Sequence, residues 1–213
     1  MRIPRSPALL IAAANSFVGI GGDASTARRR GQSALAKEFL RGVGVEFDES
    51  LTHAWHTAFV HHVGYWSHYD QQTGESSWPL PATPSAGQLG AFARERGVLT
   101  NEPEPGDLFL LWGPVKRAFV RSGIVVAVED TGYTYNGKAY YECAVIEGNT
   151  SEGRAATGGM TLRQLRRLSA DYGDRFVRWY DIVDLAGSAE PVAQIAEDSG
   201  AAPAGDTELR RAA

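Results

Sequence analysis

The sequence predicts an α+β fold in which N-terminal helices pack on an antiparallel β-sheet. Three observations carry this. Apolar residues recur at helical spacing through the first half of the chain. The second half holds β-branched and aromatic runs bounded by turn signals, such as "SGIVVAVED" at 122–130. Helices first and strands afterwards indicate segregated elements rather than alternating βαβ units.

Residues 7–18 read as the first helix, stopped by the glycine-rich segment at 19–22. Arg2 and Arg5 ahead of "ALLIAAA" resemble the start of a signal peptide, but Asn15 and Ser16 interrupt the apolar run. No apolar run reaches the roughly 18 residues of a membrane span. A second helix is predicted over 33–41, with Leu35 and Phe39 on one face and Gly42 beyond its end. In the third, Trp55, Ala58, Phe59, His62, Val63 and Trp66 form one stripe. Pro79, Pro81 and Pro84 punctuate a loop at 73–85, and a fourth helix over 86–96 ends at Gly97.

Strands are predicted over 106–112, 122–130, 139–149 and 175–183. The first is entered by a turn at "PEPGD", and Asn136-Gly137 lies in the loop between the second and third. "TLRQLRRLSADYG" at 161–173 is compatible with a helix. From residue 187 the composition shifts to Ala, Gly, Pro and acids without an aromatic, which predicts one domain over 1–186 and a flexible tail over 187–213.

Charge excludes one class of function. A net charge of −4 with a pI near 5.7 lacks the basic footprint of a general nucleic-acid binder. Arg28, Arg29 and Arg30, and Arg163 with Arg166 and Arg167, read as solvated helix faces. The single cysteine, Cys143, forms no internal disulfide and reads as a buried, inert thiol.

All five histidines fall between His53 and His68. No two are four apart, HExxH is absent, and the spacing fits no common metal motif, so neither a metal nor another cofactor is expected. His62 lies on the apolar stripe as a core or boundary residue. His53 and His56 are three apart at the helix start, and His61 and His68 are seven apart.

Four segments in order, "AWHTAFV", "EPEPGDLFLLW", "SGIVVAVED" and "AVIEGNTSEG", are similar to a CHAP domain. The resemblance covers about residues 7–183. CHAP domains are papain-like amidohydrolases and peptidases that often cut peptidoglycan cross-links. In that family a Trp-Cys pair opens a helix, a Gly-Asp turn enters the first strand, and a His-x-Gly-Ile-Val strand is followed by one ending Glu-Gly-Asn. A cysteine at a helix N-terminus is held as thiolate and attacks an amide, while a histidine oriented by an acid or amide carries the proton.

Carried over by position, the resemblance places His56 at the nucleophile, Arg121 at the general base, and Glu147 and Asn149 at the orienting positions. Arginine stays protonated and cannot act as a base. The resemblance thus implies a papain-like CHAP-type fold with a degenerate centre, acting as a binding or assembly module for peptidoglycan, peptide or a protein partner. The alternative is an active peptidoglycan hydrolase with another nucleophile or a metal, and a third reading is a toxin-like secreted effector. His56 is expected at a helix N-terminus, facing a groove between the strands of Arg121 and Glu147, and those two side chains are expected to pair. Trp55, Trp66, Trp112 and Trp179 are expected to be core or groove-wall residues.

Overall fold

The computed structural model describes residues 5–19, 34–47, 54–150 and 160–182. These fall within one compact unit, Met1–Val183. His53, residues 28–30 and the expected tail over 187–213 lie outside the described residues.

Local chemistry explains the helix ends. In α1 (Pro7–Ser16) the Ser6 hydroxyl accepts the Leu9 N–H, and Pro7 occupies the first turn, where no N–H is needed. α2 (Ala34–Gly42) and α3 (His56–Ser67) follow. A short hairpin, β1 (Tyr69–Asp70) and β2 (Glu75–Ser76), leads to α4 (Ala86–Glu95). Ser85 caps α4 by accepting the Gln88 N–H, and Gly97 leaves it at φ 69°, a left-handed conformation that glycine adopts freely.

The remaining strands are β3 (Leu99–Thr100), β4 (Leu108–Gly113), β5 (Ala118–Tyr135), β6 (Lys138–Thr150), β7 (Met160–Leu168) and β8 (Arg175–Val177). They form an antiparallel sheet in the order β3-β8-β4-β5-β6-β7. Asn136 and Gly137 join β5 to β6 with φ of 52° and 73°, a pair that matches a hairpin turn to the twist of its strands. The "PEPGD" turn also forms: the Asp107 carboxylate accepts the Glu104 N–H at 2.9 Å.

Side chains alternate across the sheet. Leu108, Leu110, Ile124 and Ile146 pack with Leu10, Phe39 and Phe59 of the helices. Phe109, Val125, Cys143, Val145, Leu168 and Phe176 form a separate apolar cluster. The protein is therefore mixed α+β, as its sequence predicts.

The expected strand over 122–130 is lengthened to β5, the short strands β1, β2 and β3 were not expected, and two further elements are corrected. Residues 161–173 are not a helix: β7 pairs antiparallel with β6 from Tyr141↔Leu168 to Thr150↔Met160, and a 3-10 turn follows. Leu162, Leu165 and Leu168 recur every third residue, as they would in a helix, yet Leu165 is 67% exposed and Leu168 is buried. Sheet pairing overrides this short local pattern. The last expected strand, 175–183, is shortened to β8. After Val177 the chain turns into a 3-10 segment, Trp179–Asp181, which buries Trp179 against His68 and Trp78. The stripe on α3 also ends early: Trp55 is buried, whereas Trp66 is 54% exposed.

Candidate functional site

The site is built where β5 and β6 part. Ile124 pairs with Ile146, but no pairing joins the two strands beyond that point. Val125 exchanges hydrogen bonds with Gly106 and Asp107 on the β4 side. By alternation the N–H of Ser122 therefore points to the β6 side, into the fork. A β-bulge adds Val120 to β5 opposite Leu111 and Trp112.

His56, the first residue of α3, closes this fork. Ser122 N–H donates to His56 Nδ1 at 3.3 Å. The Thr57 hydroxyl lies 3.0 Å from Nδ1 and 3.0 Å from the Ser122 hydroxyl. An amide N–H can only donate, so Nδ1 is the acceptor and the ring proton sits on Nε2. The ring also hydrogen-bonds the Val120 backbone. His56 thus occupies the edge of β5 that β6 has left.

Glycine makes the close approach of α3 feasible. A Cβ at Gly148 would lie 2.5 Å from the Trp55 ring and 2.8 Å from Phe59 Cβ. Gly148, between Glu147 and Asn149, thus lets the first turn of α3 rest on the sheet.

Glu147 and Arg121 point the other way. Ser122 faces Thr57, so its neighbour Arg121 leaves the sheet on the opposite face. A Cβ at Gly123, on Arg121's side, would meet Phe109 and the Glu147 side chain. There Arg121 Nη1 donates to Glu147 Oε2 at 3.0 Å, the pairing that the resemblance led one to expect. Arg166 adds a fork of its own, with Nε on Oε1 at 2.5 Å and Nη2 on Oε2 at 2.8 Å. The Glu147 side chain is fully buried between the two guanidinium groups. Asn149 is buried at φ 56°, a region asparagine tolerates, and its carbonyl lies 3.4 Å from Arg121 Nη1.

The structure thus brings His56, Arg121, Glu147 and Asn149 together around one fork. It does not leave His56 facing an open groove: the residue is 5% exposed, with the Thr57 and Ser122 hydroxyls against its ring. Burial pushes its imidazole down to about 4, and the Arg121 charge adds to this against an opposing pull from Glu147. It is therefore neutral near pH 7.

The other described histidines do not join this site. Burial lowers His61 to about 4, with His62 adding to the effect. His62 packs among Phe17, Phe39 and Trp66, the boundary position expected of it. His68 is buried beneath Trp78 and Trp179. Cys143 is buried and its thiol is pushed up to about 12, which leaves almost no thiolate at neutral pH. Among the described residues, no group of three or more His, Cys, Asp or Glu side chains is placed to hold a metal ion. No helix there is long and apolar enough to cross a membrane.

Sequence reasoning missed three participants. Thr57 and Ser122 were detectable only as polar residues inside apolar runs. Arg166 stood in a basic cluster read as solvated, but strand alternation turns it inward and leaves Arg163 and Arg167 outward. Comparison with family models, curated proteins and solved structures finds no match to this chain.

Proposed function

We propose that the chain is a CHAP-like, papain-type domain whose catalytic centre has degenerated, and that it works as a binding or assembly module for cell-wall peptide or a protein partner. The observation that carries this reading is the state of the nucleophile position. His56 is sealed in the fork, with its Nδ1 lone pair directed at the Ser122 N–H. Acyl transfer needs a nucleophile that can reach a carbonyl and a base that can accept its proton. His56 has no access, and Arg121 is a permanent cation bound to Glu147. The neighbouring hydroxyls of Thr57 and Ser122 are buried as well.

The module reading predicts binding without turnover. Fluorescent peptidoglycan fragments incubated with the full chain should be retained in a sedimentation assay and stay intact by mass spectrometry. Cleavage would overturn the reading. Cleavage lost on thiol alkylation would assign it to Cys143, and cleavage lost on chelation would assign it to a metal. Neither retention nor cleavage would exclude the wall as ligand and leave a protein partner within the same reading.

A further inference from the structure

Two histidines secure the two ends of α3 by accepting backbone N–H groups from other elements. At the start of the helix, Ser122 of β5 donates its N–H to His56 Nδ1 at 3.3 Å. At the end, Ser6 ahead of α1 donates its N–H to Nε2 of the cap residue His68 at 3.1 Å. The His68 ring is oriented by its other nitrogen, which lies 3.0 Å from the Gly64 carbonyl and 2.8 Å from the Ser67 hydroxyl. Both rings are buried.

Protonation has the same consequence at both ends. A backbone N–H has no acceptor capacity, so each of these ring nitrogens must carry a lone pair. A proton there would set a donor against a donor, break the hydrogen bond and place a cation in an apolar site. We infer that His56 and His68 are proton-sensitive latches, one docking α3 on β5 and the other docking it on α1, and that acid releases both.

The charges around the latches reinforce their neutral state. The charges that act on His56 are those of Arg121 on β5 and Glu147 on β6 across the sheet, where Glu147 is already engaged by Arg121 and Arg166. His68 faces Arg5 on the α1 side and the rings of Trp78 and Trp179. Burial lowers the proton affinity of both rings; at His56 the Arg121 charge adds to this, while at His68 backbone hydrogen bonds with Gly64 and Ser6 oppose it and Arg5 adds a smaller lowering. The two remaining described histidines of α3 behave alike: His61 bonds the Pro81 backbone beside His62, and His62 faces Glu38.

The test uses variants that keep the acceptor and cannot titrate. In His56→Asn the amide oxygen stands near the position of Nδ1, and in His68→Gln it stands near that of Nε2. Acid unfolding of the full chain, followed by near-ultraviolet circular dichroism, should move about one pH unit lower in the double variant, with smaller shifts in each single variant. An acid midpoint identical to that of the unaltered protein would overturn the inference. Should the double variant fail to fold, the unaltered protein decides. Imidazole nitrogen spectra and amide exchange should show the Ser6 and Ser122 N–H groups losing protection as His68 and His56 take up protons. Protection that survives protonation of both rings would equally overturn it. None of these readings depends on whether the domain binds peptidoglycan.

Discussion

His56 and Glu147 are buried on either side of one fork in the sheet, and they meet the cost of burial in opposite ways. His56 gives up its charge: its ring is neutral, with Nδ1 bonded to a backbone N–H of β5. Glu147 is ion-paired and sits between two guanidinium groups that fill both of its oxygens. The neutral solution is sensitive to pH and to shape. The charged one is sensitive to the loss of either partner, because an ion left alone in a dry site is costly. The same few residues of β5 and β6 thus hold a hydrogen-bonded joint on one face and an ionic one on the other.

The largest expected effect strikes the ionic joint. Glu147→Gln leaves Arg121 and Arg166 facing one another without a carboxylate, and should cost about 4 kcal/mol in urea unfolding. A loss below about 1 kcal/mol would mean that both arginines relax into solvent and that the pair contributes no more than a surface bridge.

The neutral joint should show itself in pH dependence. The folded-state value of His56 lies below its unfolded value of 6.5, at about 4, so the folded protein binds fewer protons in that window. Stability from this group is complete above about pH 6.5 and is lost as pH falls through about 4, by up to about 3 kcal/mol. Unfolding free energies measured from pH 7 to 4 should therefore fall more steeply for the unaltered protein than for His56→Asn. Parallel curves would show that His56 stays neutral or relaxes without cost.

Shape is tested at the glycine beneath α3. Gly148→Ala drives a methyl group into the rings of Trp55 and Phe59, with the sheet backbone behind it. Thermal unfolding should reveal a loss of about 2 kcal/mol. An unchanged midpoint would indicate that α3 floats above the sheet, and the comparison between a packed joint and an ionic one would then fail.

A smaller effect separates the two arginines. Arg166 makes two hydrogen bonds to Glu147, whereas Arg121 makes one. A double-mutant cycle of Arg121→Met with Glu147→Gln should give a coupling of about 1–2 kcal/mol, below that for Arg166→Met with the same partner. The reverse order would make Arg121 the principal counter-ion. The smallest expected effect is on activity. His56→Cys should release no product from peptidoglycan fragments, since Arg121 accepts no proton. Rapid turnover by this single variant would relocate the base to another residue.

Much of the fold was legible because local signals and tertiary structure agree. Pro7 after Ser6, Ser85 ahead of α4, Gly97 behind it and Asn136-Gly137 between two apolar runs each do locally what the fold needs globally. The position of His56 at a helix start and the pairing of Arg121 with Glu147 were expected only through the resemblance of four short segments to the CHAP pattern. The rest was not, for identifiable reasons. A triplet repeat of leucines in 162–168 favours a helix over a short window, but strand pairing with β6 is a non-local interaction that no window contains. Arg166 looked like a solvated charge until that pairing turned it towards Glu147.

The sequence by itself therefore determined the α+β class and the approximate extents of the four helices and of β4 and β6. These follow from residue identity, turn chemistry and periodicity, which are local properties. Only the tertiary structure decided that His56 is sealed and neutral, that Ser122 and Thr57 complete its hydrogen bonding, and that Arg166 is the second cation on Glu147. Those outcomes depend on which side chains remote in sequence meet in the absence of water. Burial then sets both the proton on an imidazole and the worth of an ion pair.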